Sequence, residues 1–268
     1  MNKILSKTYF SERVARLEVE APLVARARRP GNFVIVRVGE GGERVPLTIA
    51  GADERRGSIT LVVQAVGVST RKLCALEAGD HITDVVGPLG RATHVERVGT
   101  VLACGGGVGI APLLPIATAF KEAGNRVVSV IAGRGREQVI LEEEIRRCSD
   151  EVVVMTDDGS LGRAGLVTDG MSLVIDRERV DMAVVVGPAV MMKFAAALTR
   201  RHGIRTLASL NALMVDGTGM CGACRVTVGG RTRFTCVDGP EFDAHEVDFD
   251  ELLSRLGAFR DEETSGIK

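Results

Sequence analysis

Short apolar segments of strand character fill the first hundred residues. VARLEVEA (14–21), NFVIVRV (32–38) and SITLVVQAV (58–66) are rich in β-branched side chains and often alternate. RRPGN (28–32) and GEGGE (39–43) punctuate them as turns, and the combination predicts a small antiparallel β-barrel. From Thr100 the period changes. Apolar runs such as TVLACGGGVG, RVVSVIAG, EVVVMTDDG and RVDMAVVVGP alternate with helical segments such as APLLPIATAFKEAG, EQVILEEEIRRC and AVMMKFAAALTRRHG. Continuous Val-rich runs separated by helices predict a parallel sheet buried on both faces. A glycine- and cysteine-rich stretch, about Asn211 to Pro240, follows, and VDFDELLSRLG (247–257) predicts a short C-terminal helix before the polar tail RDEETSGIK. The expected architecture is β plus α/β: a barrel domain (1–98), a parallel-sheet nucleotide-binding domain (99–209) and a C-terminal segment (210–268).

Composition narrows the classes. The chain has 268 residues, 45% of them hydrophobic, which is enough for a large buried core. A net charge of -1 with dispersed Lys and Arg gives no footprint for nucleic acid. The charged N-terminus lacks the apolar stretch of a signal peptide, and no run approaches the ~20 apolar residues of a membrane span, so a cytoplasmic protein is expected. In a reducing compartment the six cysteines are expected as thiols or metal ligands rather than disulfides.

The segment ACGGGVGIAPL places Gly105, Gly106, Gly107 and Gly109 after a predicted strand and before a helix, where backbone amides can approach a pyrophosphate. A tight strand-to-helix turn without a ligand is the competing reading. Asp157 and Asp158, in VMTDDGS, fall at the end of the third strand of that sheet. There a carboxylate accepts from ribose hydroxyls and repels a 2′-phosphate, favouring NAD(H) over NADP(H). An acidic loop that caps the next segment is the alternative.

Three further motifs lie in or just after the barrel region: RVPLTIAG (44–51), VGVSTRKL (66–73) and VGPLG (86–90). With these the chain resembles the ferredoxin–NADP⁺ reductase superfamily, whose members join an FAD-binding barrel to a nucleotide-binding α/β domain. The resemblance implies that Arg44, Pro46, Leu47 and Thr48 stand at the superfamily's Arg-x-Tyr-Ser motif, which holds flavin and phosphate. It also implies that Gly67, Ser69 and Thr70 open a helix under the FAD pyrophosphate. Leu47 replaces the tyrosine and is expected to face the flavin, and Arg44 is four residues before Thr48, one more than the motif's spacing. Without the family, Ser69 and Thr70 read as a helix cap. Gly187 and Pro188 in VVVGPAVMM match the Cys-Gly-Pro segment near the nicotinamide, with Val186 at the cysteine position.

The stretch SLNALMVDGTGMCGACRVTVGG and the following FTCVDGPEFDAHEVDFDEL are similar to the small subunit of NADH-dependent reduced ferredoxin:NADP⁺ oxidoreductase, also described as the sulfide dehydrogenase small subunit. That resemblance implies a [2Fe–2S] cluster held by Cys221, Cys224, Cys236 and, as fourth ligand, Asp216. The spacing agrees: D-x4-C-x2-C-x11-C is the plant-type C-x4-C-x2-C…C framework with its first thiolate replaced. Gly217, Gly219 and Gly222 allow the loop to wrap closely, and Gly229-Gly230 between RVTV and RTRFT predicts a hairpin whose returning strand brings Cys236 back to it. A structural zinc would accept the same donors, and Asp216 also reads as a turn residue in VDGTG. Cys74, Cys104 and Cys148 have no spaced partners and read as small buried hydrophobes.

The family further implies an electron-transfer flavoprotein using NAD(H), FAD and the cluster, working with a larger FAD/[4Fe–4S] subunit that handles NADP(H) and ferredoxin by electron bifurcation. The electron-transfer subunit of dihydroorotate dehydrogenase, which carries four cysteines, is the alternative enzyme. A non-enzymatic iron–sulfur module is the alternative outside enzymology.

Overall fold

The computed structural model describes residues 2–258, so Met1 and the C-terminal residues 259–268, including the polar tail, lie outside it. The first half is an antiparallel sheet of seven strands: β1 (Asn2–Ser11), β2 (Val14–Glu20), β3 (Phe33–Arg37), β4 (Arg44–Asp53), β5 (Ser58–Gln64), β6 (His81–Ile82) and β7 (Asp84–Leu89). Their order, β6-β1-β2-β5-β4-β3-β7, is that of a curled, nearly closed barrel. Two short helices, α1 (Pro22–Ala27) and α2 (Val68–Ala75), decorate it.

Strand β3 is apolar on both faces for a reason the pleat makes plain. Val34 and Val36 point into the barrel with Ile49, Leu61 and Leu17. Phe33 and Ile35 point the other way, into the core that carries Cys224, Cys236 and Phe242. One strand thereby belongs to two cores.

The second half is built on β8 (Thr100–Gly106), α3 (Ile110–Glu122), β9 (Arg126–Gly133), α4 (Glu142–Arg147), β10 (Glu151–Thr156), β11 (Arg163–Ala164), α5 (Val167–Ile175), β12 (Met182–Val186), α6 (Ala189–Arg201) and β13 (Arg205–Ser209). The strands run parallel in the order β11-β10-β9-β8-β12-β13, with the central strands β9, β8 and β12 buried on both faces and β11 exposed at the edge. The expected helix over EQVILEEEIRRC starts only at Glu142. Ile140 and Leu141 are buried in the core beneath α3, and Leu141 takes a left-handed φ of 56° that no helix can propagate.

The C-terminal residues add a hairpin, β14 (Arg225–Val228) and β15 (Arg231–Phe234), a one-turn helix α7 (Thr235–Asp238), a strand β16 (Glu241–Asp243) and α8 (Phe249–Leu256). Gly229 and Gly230, at φ 58° and 71°, form the expected two-residue turn. Strand β16 pairs antiparallel with β13 and becomes the edge of the large sheet. Val226, Val228, Phe242, Phe249 and Leu252 share one core with Leu102, Val128 and Met192. This segment therefore packs as part of the α/β layer. The predicted C-terminal helix is α8, capped by Asp248 accepting from the Glu251 amide.

Candidate functional site

In the parallel sheet the chain leaves β8 in one direction and later returns to place β12 on its other side, so a crevice opens at the carboxyl ends of these two strands. Both glycine motifs line it. Gly107, at φ 55°, turns the chain out of β8. A Cβ on Gly109 would lie 2.5 Å from the Val186 carbonyl oxygen and 2.7 Å from Gly187 Cα, so only glycine allows this approach. Gly106 and Gly187 both lie against the thioether of Met191, and Pro188 leads into α6. Gly105 packs on Ile110 and Leu113, as a glycine needed for close strand–helix contact.

Asp157 and Asp158 follow β10, the third strand of this half in chain order, in an exposed turn. The Asp158 carboxylate accepts from the Ser160 amide at 2.9 Å, which, with the Ser160 hydroxyl, holds its pKa below the ordinary carboxylate range. It thus does the capping work of a turn residue. Among the described residues Asp157 makes no side-chain hydrogen bond and is the freer of the two.

On the barrel, Arg44, Pro46 and Thr48 project from one face of β4, paired across from Arg37, Ile35 and Phe33. Leu47 alternates with them and packs against the barrel interior. Leu47 is half-buried and stands on the opposite face of the strand from Pro46 and Thr48. At the start of α2, Thr70 Oγ1 accepts from the Val66 and Gly67 amides at 3.0 Å, and Ser69 donates to Glu43 at 2.6 Å. The helix cap read from the sequence is therefore real for Thr70. Glu43 adjoins Arg44, so the two barrel motifs lie side by side.

The cysteine loop is organised from within. Asp216 accepts from the Thr218 amide through Oδ1 and from the Cys221 amide through Oδ2, both at 2.9 Å, and these bonds lower its pKa. Gly217, Gly219 and Gly222 adopt φ of 76°, 84° and 69°, conformations that suit glycine. Cys224 and Cys236 are buried with their sulfurs 3.2 Å apart, beyond the ~2.05 Å of a disulfide, and Cys221 is exposed. Burial and the neighbouring Cys224 push the Cys236 thiol up to about 12. Cys236 itself sits on α7, two residues past the end of the returning strand β15.

Among the described residues no three His, Cys or acidic side chains close on a single point. The donor set nevertheless fits an iron–sulfur cluster. It has two buried thiols in contact, a third thiol on the same glycine-shaped loop, and a carboxylate whose oxygens each keep a free lone pair. The buried hydroxyl of Thr235, beside them in sequence, has no hydrogen-bond partner.

Asp216, Thr218, Met220 and Cys221 line a cleft of about 520 Å³ together with Ile35, Arg44 and Val86 of the barrel. The flavin motif and the cysteine loop therefore share one wall-to-wall space. Ile35, Val86, Met191 and Thr235 escaped sequence reasoning, since an apolar strand residue, a helix methionine and a lone threonine carry no motif.

Comparison with known proteins agrees with this geometry. Residues 211–248 match the iron-sulfur cluster binding domain of dihydroorotate dehydrogenase B. The chain is 48% identical to the Thermotoga maritima dihydroorotate dehydrogenase B (NAD⁺), electron transfer subunit homolog, over 98% of this chain and 93% of that protein. It is 34% identical to the Geobacillus thermodenitrificans dihydroorotate dehydrogenase B (NAD⁺), electron transfer subunit, over 91% and 96%. A solved structure from work on flavin-based electron bifurcation by NADH-dependent reduced ferredoxin-NADP oxidoreductase superposes with a TM-score of 0.95. It shares 46% identity, covering 100% of this chain and 96% of that one. The chain belongs to this family of NAD-linked electron-transfer subunits. Membership makes it an oxidoreductase subunit and accounts for the barrel, sheet and cysteine segment standing in this order. A cytochrome P450 reductase at 22% identity and TM-score 0.63 shares the fold. Among the described residues no helix is long and apolar enough to cross a membrane.

Proposed function

We propose that this chain is the electron-transfer flavoprotein subunit of an electron-bifurcating NADH-dependent ferredoxin:NADP⁺ oxidoreductase, working in the cytoplasm as a heterodimer with a larger FAD/[4Fe–4S] subunit that binds NADP(H). Bound FAD would supply the conversion between hydride transfer with NAD(H) and single-electron exchange with a [2Fe–2S] cluster. Residues 1–98 would hold the flavin, 99–209 the nucleotide and 210–268 the cluster. The observation that carries the reading is the cleft lined jointly by Arg44 and Ile35 of the barrel and Asp216 and Cys221 of the cysteine loop. That shared cleft supports a direct approach of the proposed flavin to the proposed cluster.

Within that frame the residues divide the work. Gly105, Gly106, Gly107 and Gly109 present backbone to the NAD pyrophosphate, while Gly187 and Pro188 floor the nicotinamide end of the crevice. The amides at the start of α2, beside Gly67 and Ser69, and the Arg44 guanidinium face the FAD phosphates. Pro46 and Thr48 border the ring. Cys221, Cys224, Cys236 and Asp216 hold the cluster. The exposure of Met220 and Cys221 supports an outer cluster edge that a partner can approach.

The match of residues 211–248 favours a second reading, service to a dihydroorotate dehydrogenase catalytic subunit. Chain purified anaerobically should contain about one FAD and about two irons with acid-labile sulfide. With NADH it should reduce artificial one-electron acceptors but not ferredoxin, since the uphill electron needs the partner. Zinc in place of iron removes the cluster assignment. Robust ferredoxin reduction by the chain alone removes the division of labour. Co-purification with a dihydroorotate-oxidising subunit establishes the second reading.

A further inference from the structure

Among the described residues four threonines are wholly buried: Thr156, Thr199, Thr206 and Thr235. The first three follow the ordinary rule for a buried hydroxyl and donate to a backbone carbonyl. Thr156 donates to Leu161 O at 2.8 Å, Thr199 to Ala195 O at 3.1 Å and Thr206 to Ile204 O at 2.9 Å. Thr235 does not. Its Oγ1 is the one buried side-chain nitrogen or oxygen among the described residues that lacks a partner.

The reason lies in its position. A helical threonine reaches the carbonyl one turn back, but Thr235 is the first residue of the one-turn helix α7 and has no such carbonyl. Its own amide is spent on Cys224 O at 3.0 Å. That bond fixes Thr235 beside Cys224, and the next residue is Cys236, whose sulfur touches that of Cys224. The orphaned donor is thus carried by the residue whose backbone links the two buried cysteines, bonded to Cys224 and followed by Cys236. An unsatisfied buried hydroxyl is destabilising, and valine has the same shape without that cost.

We infer that the Thr235 hydroxyl donates a hydrogen bond to a sulfur of the iron–sulfur cluster, and that this bond holds the cluster's reduction potential up. The inference rests on the cluster reading above. Reduction adds negative charge to the cluster, so a donor aimed at its sulfur stabilises the reduced form more than the oxidised form. Thr235 is a positioning and tuning residue in this role. It does not ligate iron.

The test compares full-length chain carrying Thr235→Val and Thr235→Ser with the unaltered protein, all reconstituted anaerobically. Iron and sulfide are quantified first, then the midpoint potential and the electron paramagnetic resonance spectrum of the reduced state. T235V should shift the potential to more negative values and alter the spectrum, while T235S, which keeps the donor, stays close to the parent. Unfolding of the iron-free chains should show T235V at least as stable as the parent, because no protein acceptor is lost. Equal potentials in all three proteins would overturn the inference, as would equal shifts in both variants or loss of the cluster from both. Loss from T235V alone would support it. An unaltered protein that binds no iron would fail the cluster reading itself, a separate result.

Discussion

At the scale of single residues the cysteine loop was legible because its chemistry is written in spacing, whereas the atoms that shape it were not. Asp216 shows the difference. Its place five residues before Cys221 marks it as a ligand candidate, and its side chain also closes the loop through the Thr218 and Cys221 amides. The two roles are compatible because each oxygen retains a lone pair. They can be separated. Asp216→Asn keeps the Thr218 bond but cannot accept at its amide nitrogen, and Asp216→Ala keeps neither. Asp216→Ala should lower cluster retention at least ~10-fold while FAD stays bound. Asp216→Cys should retain the cluster with a changed electron paramagnetic resonance spectrum; full iron with an unaltered spectrum in the Ala variant would remove the carboxylate from the ligand set. The acidic pair sorts in the same way. Asp158 is committed to its turn by the Ser160 amide, which leaves Asp157 as the carboxylate available for the proposed ribose contact. Stopped-flow reduction of the flavin should therefore favour NADH. Asp157→Ala should narrow the NADH/NADPH ratio by about tenfold, roughly 1.4 kcal/mol, and an unchanged ratio would move discrimination to the nearby arginines Arg134 or Arg163.

At the scale of elements, periodicity found nearly every strand and helix, and it failed where burial of particular side chains outweighs local pattern. Strand alternation puts Leu47 with Val45 and Ile49 against the barrel interior, on the face opposite Arg44, Pro46 and Thr48. The pattern EQVILEEEIRRC reads as one helix, yet burial of Ile140 and Leu141 forces a left-handed residue before α4. Strand β16 carries only three residues, too few to show a period, and it pairs with β13, a strand far from it in sequence, which no local period announces. The meeting of β8 and β12 was half visible: the glycines are in the sequence, their mutual contact is not. Gly109→Ala tests that contact. A methyl group 2.5 Å from the Val186 carbonyl oxygen must push the two strand ends apart. Such overpacking costs ~1–3 kcal/mol. Thermal unfolding should register that loss, and the KM for NADH should rise with little change in reduction of the chain by dithionite, which does not use the crevice. An unaltered KM would mean that the nucleotide binds elsewhere.

At the scale of the whole molecule, the barrel, the large sheet and the cysteine segment meet at Glu241. This residue opens β16, and its Oε1 accepts from Thr93 Oγ1 at 2.7 Å, in the linker that leaves the barrel. A Cβ on Gly31 of the barrel would lie 2.9 Å from the same oxygen. Nearby, the Arg91 amide donates to Gly239 O at 2.6 Å and Arg91 Nε to Val237 O at 3.1 Å, which ties the same linker to the turn after Cys236. Among the described residues no cation pairs with Glu241, and burial pushes its carboxyl up to about 7 from an ordinary 4.5. The sign of the linkage follows. The folded state keeps a proton that the unfolded chain releases, so the contribution is fully present below about pH 4.5 and is lost as pH rises toward 7. The loss amounts to at most on the order of 3 kcal/mol. Glu241→Gln mimics the protonated acid and can still accept from Thr93. Its advantage over the unaltered chain in denaturant unfolding should be small at pH 5 and large at pH 8. A difference that stays constant across that range would mean that Glu241 is already ionised in the fold, with its charge met by solvent rather than held neutral where the three parts of the molecule join.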